Sequence, residues 1–373
     1  MKVLHLNAGN ETGGGMVHIL SLLKELNTDE MILGVFEKGA MYTEAKKHGI
    51  NVICFDQTSR FNLSILKEIA RYVKNEQIDI VHTHGARANL YGFLLKKVGR
   101  CHCKWITTIH SDPRDDFLGG GVIGKVYTKL NLLSIRTMDH YFAISTRFKE
   151  MLKNFGVDDS FITTIYNGIN FDVPAYVPIT RQQICLAKDD FVITMIARLH
   201  PVKGHIVAFE ALKELIHTNK NIKLLLIGDG PLEDDLKKLA DEMGISNHVL
   251  FQGYQENIHG YLSITDVMIL TSYSESFPLV ILEASRAHVP VISTDVGGVK
   301  DLITDSSLGW VIPQRSSEAL NRSIQEAIIL KDDGALKFIG LRLYDKASKE
   351  YNLKNFSNSV YNAYKEIMEV ESV

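Results

Sequence analysis

Short apolar runs punctuate the first part of the chain at 3–8, 31–36, 52–55, 80–84, 105–110 and 141–145. Between them lie longer stretches in which apolar residues recur at helical spacing, as at 65–73 and 148–155. Runs this short read as strands and the intervening pattern as helices. After Asn167-Gly168 the pattern restarts, with runs at 192–197, 223–227, 249–252, 267–270, 291–294 and 310–312. Two successive alternations predict an α/β protein with two parallel sheets, each covered by helices on both faces. Across 168–179, Asn170, Asp172, Pro174 and Pro178 interrupt the periodicity, so the boundary is expected there. Domains are therefore expected at 1–172 and 180–352, followed after a polar break at 348–355 by a last helix over 356–368.

Length agrees with this division, because 373 residues exceed what one hydrophobic core usually serves. The 45% hydrophobic and 23% charged content is that of an ordinary globular chain. No apolar run approaches the roughly 20 residues that span a bilayer. The first seven residues turn polar and glycine-rich too early for a signal peptide, so a cytoplasmic protein is expected. Cys54, Cys101, Cys103 and Cys185 are too few and too irregular for a disulfide framework. Cys101-His102-Cys103 has no second ligand pair nearby, and no metal site is expected from it. Charge is unevenly shared: residues 1–172 carry 21 Lys and Arg against 18 Asp and Glu, whereas 173–373 carry 20 against 26. The basic first half suggests an anionic acceptor or peripheral contact with a membrane's inner face; no nucleic-acid partner is expected.

In open α/β sheets, ligands bind at the carboxyl ends of the strands. The most informative segment sits at one such end: Glu275-Ser276-Phe277-Pro278-Leu279-Val280-Ile281-Leu282-Glu283 follows the apolar run 267–270. Pro278 suits the first turn of a helix and Ser276 its cap. The start of that helix would offer the N–H groups of Phe277, Leu279 and Val280 to an anion such as a diphosphate, with carboxylates on either side to accept hydroxyl hydrogen bonds. This is the chemistry of holding a nucleotide sugar.

Here the chain resembles the retaining glycosyltransferases of family 4, whose Glu-x7-Glu motif it reproduces in its strand and helix context. The resemblance implies the GT-B architecture, two facing Rossmann-like domains with a deep interdomain cleft. It further implies that the first domain takes the acceptor, the second takes the nucleotide sugar, and the segment 353–373 crosses back to the first. One departure is Ser276, where many relatives have Gly.

Other strand ends carry matching residues. Arg198 and Lys203 follow the first run of the second half and precede a helix starting near His205; two fixed cations there would neutralise a departing diphosphate. They resemble the family's Arg and Lys pair. Gly228 and Gly230, in Gly228-Asp229-Gly230-Pro231, would let a base or ribose approach the backbone, and the family has a similar turn beside the nucleotide. Glu233 occupies the third glycine position of a dinucleotide fingerprint, which therefore fails. Gly119-Gly120-Gly121-Val122-Ile123-Gly124 fits that fingerprint formally but follows no strand, and is expected to be a loop on the acceptor side. Gly14 and Gly15 open a helix after the first run, where backbone N–H groups would meet the donor. His110 resembles the family histidine near the transferred sugar. His82 and His84 are expected to line the cleft, since no carboxylate follows at a metal-ligand spacing. Ser145 and Asn167-Gly168 match the family around the interdomain crossover.

No Asp-x-Asp occurs in the sequence, so no metal and no other cofactor is expected: Arg198, Lys203 and helix ends would take the electrostatic role. The expected activity is retaining transfer of a sugar, UDP-linked before GDP-linked on family frequency, to a glycan, lipid-linked or small-molecule acceptor. Exopolysaccharide or glycoconjugate assembly is the setting the resemblance implies. A sugar-nucleotide epimerase of the same fold and a nucleotide-dependent oxidoreductase are the alternatives.

Overall fold

The structure, a computed structural model, describes residues 1–10, 13–26, 29–55, 64–98, 103–114, 121–172 and 176–369, apart from the side chains of Val98 and Val122. Cys101, His102, Gly119, Gly120 and Pro174 lie outside the described residues. The chain divides into two compact units, the first being Met1–Gly168 with Leu353–Val373 and the second Ile169–Asn352. The division after Gly168 lies at the start of the interrupted stretch, not in its middle.

In the first unit seven parallel strands, β1 (Val3–Asn7), β2 (Met31–Val35), β3 (Val52–Cys54), β4 (Ile80–His84), β5 (Lys104–Ile109), β6 (His140–Ala143) and β7 (Ile162–Thr164), lie in the order β3-β2-β1-β4-β5-β6-β7. In the second, β8 (Phe191–Ile196), β9 (Ile222–Ile227), β10 (Val249–Phe251), β11 (Val267–Leu270), β12 (Val291–Thr294) and β13 (Trp310–Ile312) lie in the order β10-β9-β8-β11-β12-β13. The strand order reverses direction between β1 and β4 and between β8 and β11, the switch points at which such sheets leave a crevice. β7 has no counterpart among the expected runs. Its three residues, Ile162-Thr163-Thr164, are half-buried beyond the first and carry too little apolar signal at a sheet edge.

Strands buried on both faces are mostly apolar, which is why these elements were legible. β1, β2 and β4 are buried at every position. The last helix, Leu353–Glu369, has no separate core of its own; Phe356, Val360, Ala363, Tyr364 and Ile367 fall on one face and join the first unit's core with Ile19, Leu22 and Leu33. It begins directly after Tyr351-Asn352, so the break in the sequence is two residues where eight were expected. The second unit's core is built from Phe191, Ile193, Phe209, Leu212, Leu224, Leu226 and Ile292 with Leu320 and Ile324 of the helix Ser317–Asp332.

Candidate active site

In the second unit, the loops after β8, β9, β11 and β12 are tied to one another by their backbones. Leu199 N–H donates to Asp229 O at 2.8 Å and Leu232 N–H to Leu199 O at 3.2 Å, joining the loop after β8 to the turn after β9. Tyr273 N–H donates to Val202 O at 2.7 Å and the Thr271 hydroxyl to Lys203 O at 3.0 Å, joining it to the segment after β11. Gly298 N–H donates to Ser276 O at 3.0 Å, which brings in the loop after β12.

Two glycines make this packing sterically feasible. At Gly228, φ is +134° and a Cβ would stand 2.1 Å from Ala197 O; at Gly204, φ is +69° and a Cβ would stand 2.2 Å from Thr271 O. The glycine expected to admit a nucleotide at Gly228 thus first admits the backbone that carries Arg198. Gly230 completes the same turn, its carbonyl accepting from Glu233 N–H at 3.3 Å.

The loop so fixed holds both expected cations. Lys203 ends a short 3-10 turn, Pro201–Lys203, and its Nζ lies 2.5 Å from Glu275 Oε1, which also accepts from the Ser272 hydroxyl at 2.6 Å. The structure therefore unites Lys203 and Glu275, which the sequence pattern treats as separate groups. Arg198 is exposed, and its guanidinium has no hydrogen bond or ion pair among the described residues. Two cations and one carboxylate leave this cluster with an excess of positive charge, suited to an anion of more than one charge.

The helix after Glu275 runs Leu279–Arg286. Its start corrects the expected capping: Pro278 occupies the N-cap position with extended backbone (φ −74°, ψ 102°), and no side chain caps the helix. Ser276 is two residues too early, because residues 275–277 are bent over Gly297 and Gly298, where the Ser276 carbonyl is hydrogen-bonded. Leu279 and Val280 open the helix with N–H groups that have no carbonyl one turn back, while Ile281 N–H already reaches Pro278 O at 3.1 Å. Phe277 is buried with its ring stacked on Tyr351 at 5.4 Å between centroids. Glu283, inside the helix, has no hydrogen-bond partner for its carboxyl among the described residues. Burial pushes its pKa up, with Arg286 opposing the shift.

In the first unit, Gly14 opens the helix Gly14–Leu26 and is exposed, with Gly15 half-buried behind it. His110 stands at the carboxyl end of β5, half-buried, with His84 Nδ1 3.0 Å from its Nε2. His82 and His84 correct another expectation, since both are fully enclosed (0% and 1% exposed) and line no open surface. They belong to a buried group that sequence reasoning missed. His5 Nδ1 lies 3.0 Å from His84 Nε2, Tyr364 Oη lies 2.6 Å from His82 Nδ1 and 3.3 Å from His5 Nε2, and Thr108 Oγ1 lies 2.7 Å from His82 Nε2. His18 packs edge-on to His110 at 4.6 Å and bonds Asn167 Oδ1 at 2.6 Å. Burial lowers the pKa of all five histidines, His5 to about 3 and His18 to about 4, so that none is charged at neutral pH. The period-2 pattern of β4 and β5 was the available signal: the register pairs His5 with His82 and His84 with Thr108, which sets them on one face. His18 and Tyr364 come from helices and had none.

Among the described residues, two groups have the geometry to hold a metal ion, His5-His82-His84 and His18-His84-His110, both in the first unit. The Arg198, Lys203 and Glu275 cluster of the second unit has none. Among the described residues no helix is long and apolar enough to cross a membrane.

The family model described as Glycosyltransferase Family 4 matches residues 12–173, and that described as Glycosyl transferases group 1 matches residues 177–337. An Escherichia coli UDP-Gal:alpha-D-GlcNAc-diphosphoundecaprenol alpha-1,3-galactosyltransferase is 25% identical over 319 residues, 81% of each chain. The N-acetyl-alpha-D-glucosaminyl L-malate synthase of Bacillus anthracis is 25% identical over 89% of this chain and 87% of its own. The crystal structure of Anabaena HepE, solved in complex with UDP, superposes with a TM-score of 0.83 at 22% identity, over 98% of this chain and 100% of that one, and it shares the GT-B fold. With two models of one family spanning the two halves in order, the chain belongs to glycosyltransferase family 4 and is a glycosyltransferase that draws on a nucleotide-sugar donor.

Proposed function

We propose that this enzyme is a retaining, metal-independent glycosyltransferase with a UDP-linked sugar as donor and a glycan or lipid-linked acceptor in glycoconjugate assembly. The observation that carries the proposal is the joining of Arg198, the Lys203–Glu275 pair and the start of the helix Leu279–Arg286 by the backbone bonds of adjoining strand-end loops. UDP is supported by the donor in the name of the Escherichia coli relative and by the ligand of the HepE crystal.

In this reading Arg198, Lys203 and the N–H groups of Leu279 and Val280 hold the diphosphate and the charge it gains on leaving. Glu275 and Glu283 accept hydrogen bonds from donor hydroxyls. Glu275 already accepts from Lys203 and Ser272 through one oxygen, which holds the carboxylate in place as a hydrogen-bond acceptor. In the first unit, His110 meets a substrate oxygen. The acceptor hydroxyl then attacks from the face the diphosphate leaves, through an oxocarbenium-like state, and the diphosphate takes its proton. An α-linked donor should give an α-linked product, read from the anomeric proton signal of the first product by NMR. A β linkage would overturn the retaining assignment, and a trapped glycosyl ester on Glu275 would overturn the mechanism alone.

Fixed cations at the diphosphate make a divalent ion unnecessary there. Turnover is therefore expected to survive exhaustive dialysis against EDTA. Loss of activity that manganese or magnesium restores would contradict this.

A further inference from the structure

Five hydrogen bonds link Thr108, His82, Tyr364, His5, His84 and His110 into one unbranched buried chain. A neutral imidazole has one N–H and one bare nitrogen, and a tyrosine hydroxyl has a single hydrogen to donate. Every link needs one hydrogen, and with all four histidines neutral three arrangements fill all five links. In the first, each histidine carries its hydrogen on Nδ1 and donates toward His110; in the second, each carries it on Nε2 and donates toward Thr108. In the third, His82 carries it on Nδ1 and the other three on Nε2, so that Tyr364 accepts from both sides and its own hydrogen, in a residue 0% exposed, is stranded; that cost disfavours the third and leaves the first two.

Thr108 decides between them. It is 3% exposed, and among the described residues its hydroxyl has no partner other than His82 Nε2. In the first arrangement its hydrogen goes to His82 and every buried donor is used. In the second it accepts from His82 and its own hydrogen is stranded, which disfavours that arrangement by about five- to a hundredfold. The ring of a solvated neutral histidine leans toward Nε2–H, so the chain opposes that preference and Thr108 is what holds it.

We propose that this buried chain locks His110 in the Nδ1–H tautomer, so that His110 meets a substrate oxygen as a fixed neutral hydrogen-bond donor. His5, His82, His84, Thr108 and Tyr364 are then positioning residues that act through His110. The buried end at Thr108 has no proton source among the described residues, so the chain works as a lock and not as a conduit. The contact with substrate rests on the glycosyltransferase reading above; the lock itself does not.

Long-range proton–nitrogen correlation spectra of the full chain labelled with 15N-histidine, recorded at neutral pH without substrate, test the lock. His5, His82, His84 and His110 should all show a protonated Nδ1 and a bare Nε2. Nε2–H or imidazolium at any of them would overturn the proposal. Thr108→Val should reverse the four to Nε2–H, while Thr108→Ser should leave them as they are; a valine variant with the wild-type spectrum would sink the role of Thr108. If the valine variant does not fold, Tyr364→Phe cuts the chain at its centre and should give mixed tautomers at His110, and an unchanged spectrum there would sink the lock. Stoichiometric zinc should leave the spectrum unaltered; collapse of the Nδ1–H pattern would make the cluster a metal site instead. Reversal in Thr108→Val should also lower kcat/KM by about two- to tenfold, the effect of losing one neutral hydrogen bond. Reversed tautomers with unchanged kcat/KM would leave the lock standing and remove the substrate contact.

Discussion

Arg198→Ala and Lys203→Ala are each expected to lower turnover by about thirty- to a thousandfold, the loss of roughly 2 to 4 kcal/mol of transition-state stabilisation at a leaving diphosphate. The structural cost should differ between the two. Arg198 is exposed and without a protein partner among the described residues, so its truncation removes nothing from the fold. Lys203 has one ion pair, with side chains 22% and 13% exposed, and its truncation leaves the mostly buried Glu275 carboxylate without its cation, a loss of stability of about 1 to 3 kcal/mol that thermal unfolding reads separately from turnover. The two variants should also differ in their kinetics. Arg198→Ala should affect only the anion, whereas Lys203→Ala also leaves Glu275 with the Ser272 hydroxyl alone and should weaken recognition of the sugar. Kinetics with a series of deoxygenated donors would separate the two: near-wild-type turnover in both variants would sink the assignment.

The second large effect is expected at Gly228. An alanine there must hold φ near +134° and bring its Cβ to 2.1 Å from the Ala197 carbonyl, a backbone atom at the base of the Arg198 loop. The backbone strain alone costs about 1 to 3 kcal/mol, and the overlap must be relieved by moving the loop. Calorimetry should show the transition of the second unit falling by roughly 5 °C or more, at about 2 to 4 °C per kcal/mol for a unit of this size. Gly244→Ala is the control, since it has a positive φ of +72° but nothing within 4 Å of the added carbon. Equal shifts in the two variants would show that strain, and not the close approach, governs the position. If Gly228→Ala folds, its turnover should fall as that of Arg198→Ala does, because the displaced loop carries the guanidinium with it.

Much of the fold was legible because of where its strands are. β4, β11, β12 and β13 coincide with their apolar runs, and most of the others differ by a residue at either end. Parallel strands buried on both faces are mostly apolar, which makes them conspicuous in the sequence even where hydrogen-bonded polar residues such as His5, His82 and His84 interrupt the run. β7 escaped because an edge strand of three residues is under no such pressure. The cap of the helix Leu279–Arg286 was misread for a different reason. Ser276 has the chemistry of a cap, but its backbone is committed to Gly298, and a local pattern contains no information about a partner 22 residues away.

The candidate site divides along the same line. Arg198, Lys203, Glu275 and the strand-end glycines could be named from the chain because each follows a strand closely, and a strand's end is a local signal; Glu283 was named from its spacing to Glu275. That Lys203 and Glu275 are one hydrogen-bonded pair, that Gly228 makes room for Arg198, and that His5, His82, His84, His110 and Tyr364 form one buried chain were decided only by tertiary structure. Periodicity reports which face of an element is buried. Which residues meet across sheets and helices, and hence which nitrogen of a histidine carries its hydrogen, depends on contacts between segments as far apart as Tyr364 and His5, 359 positions away in sequence.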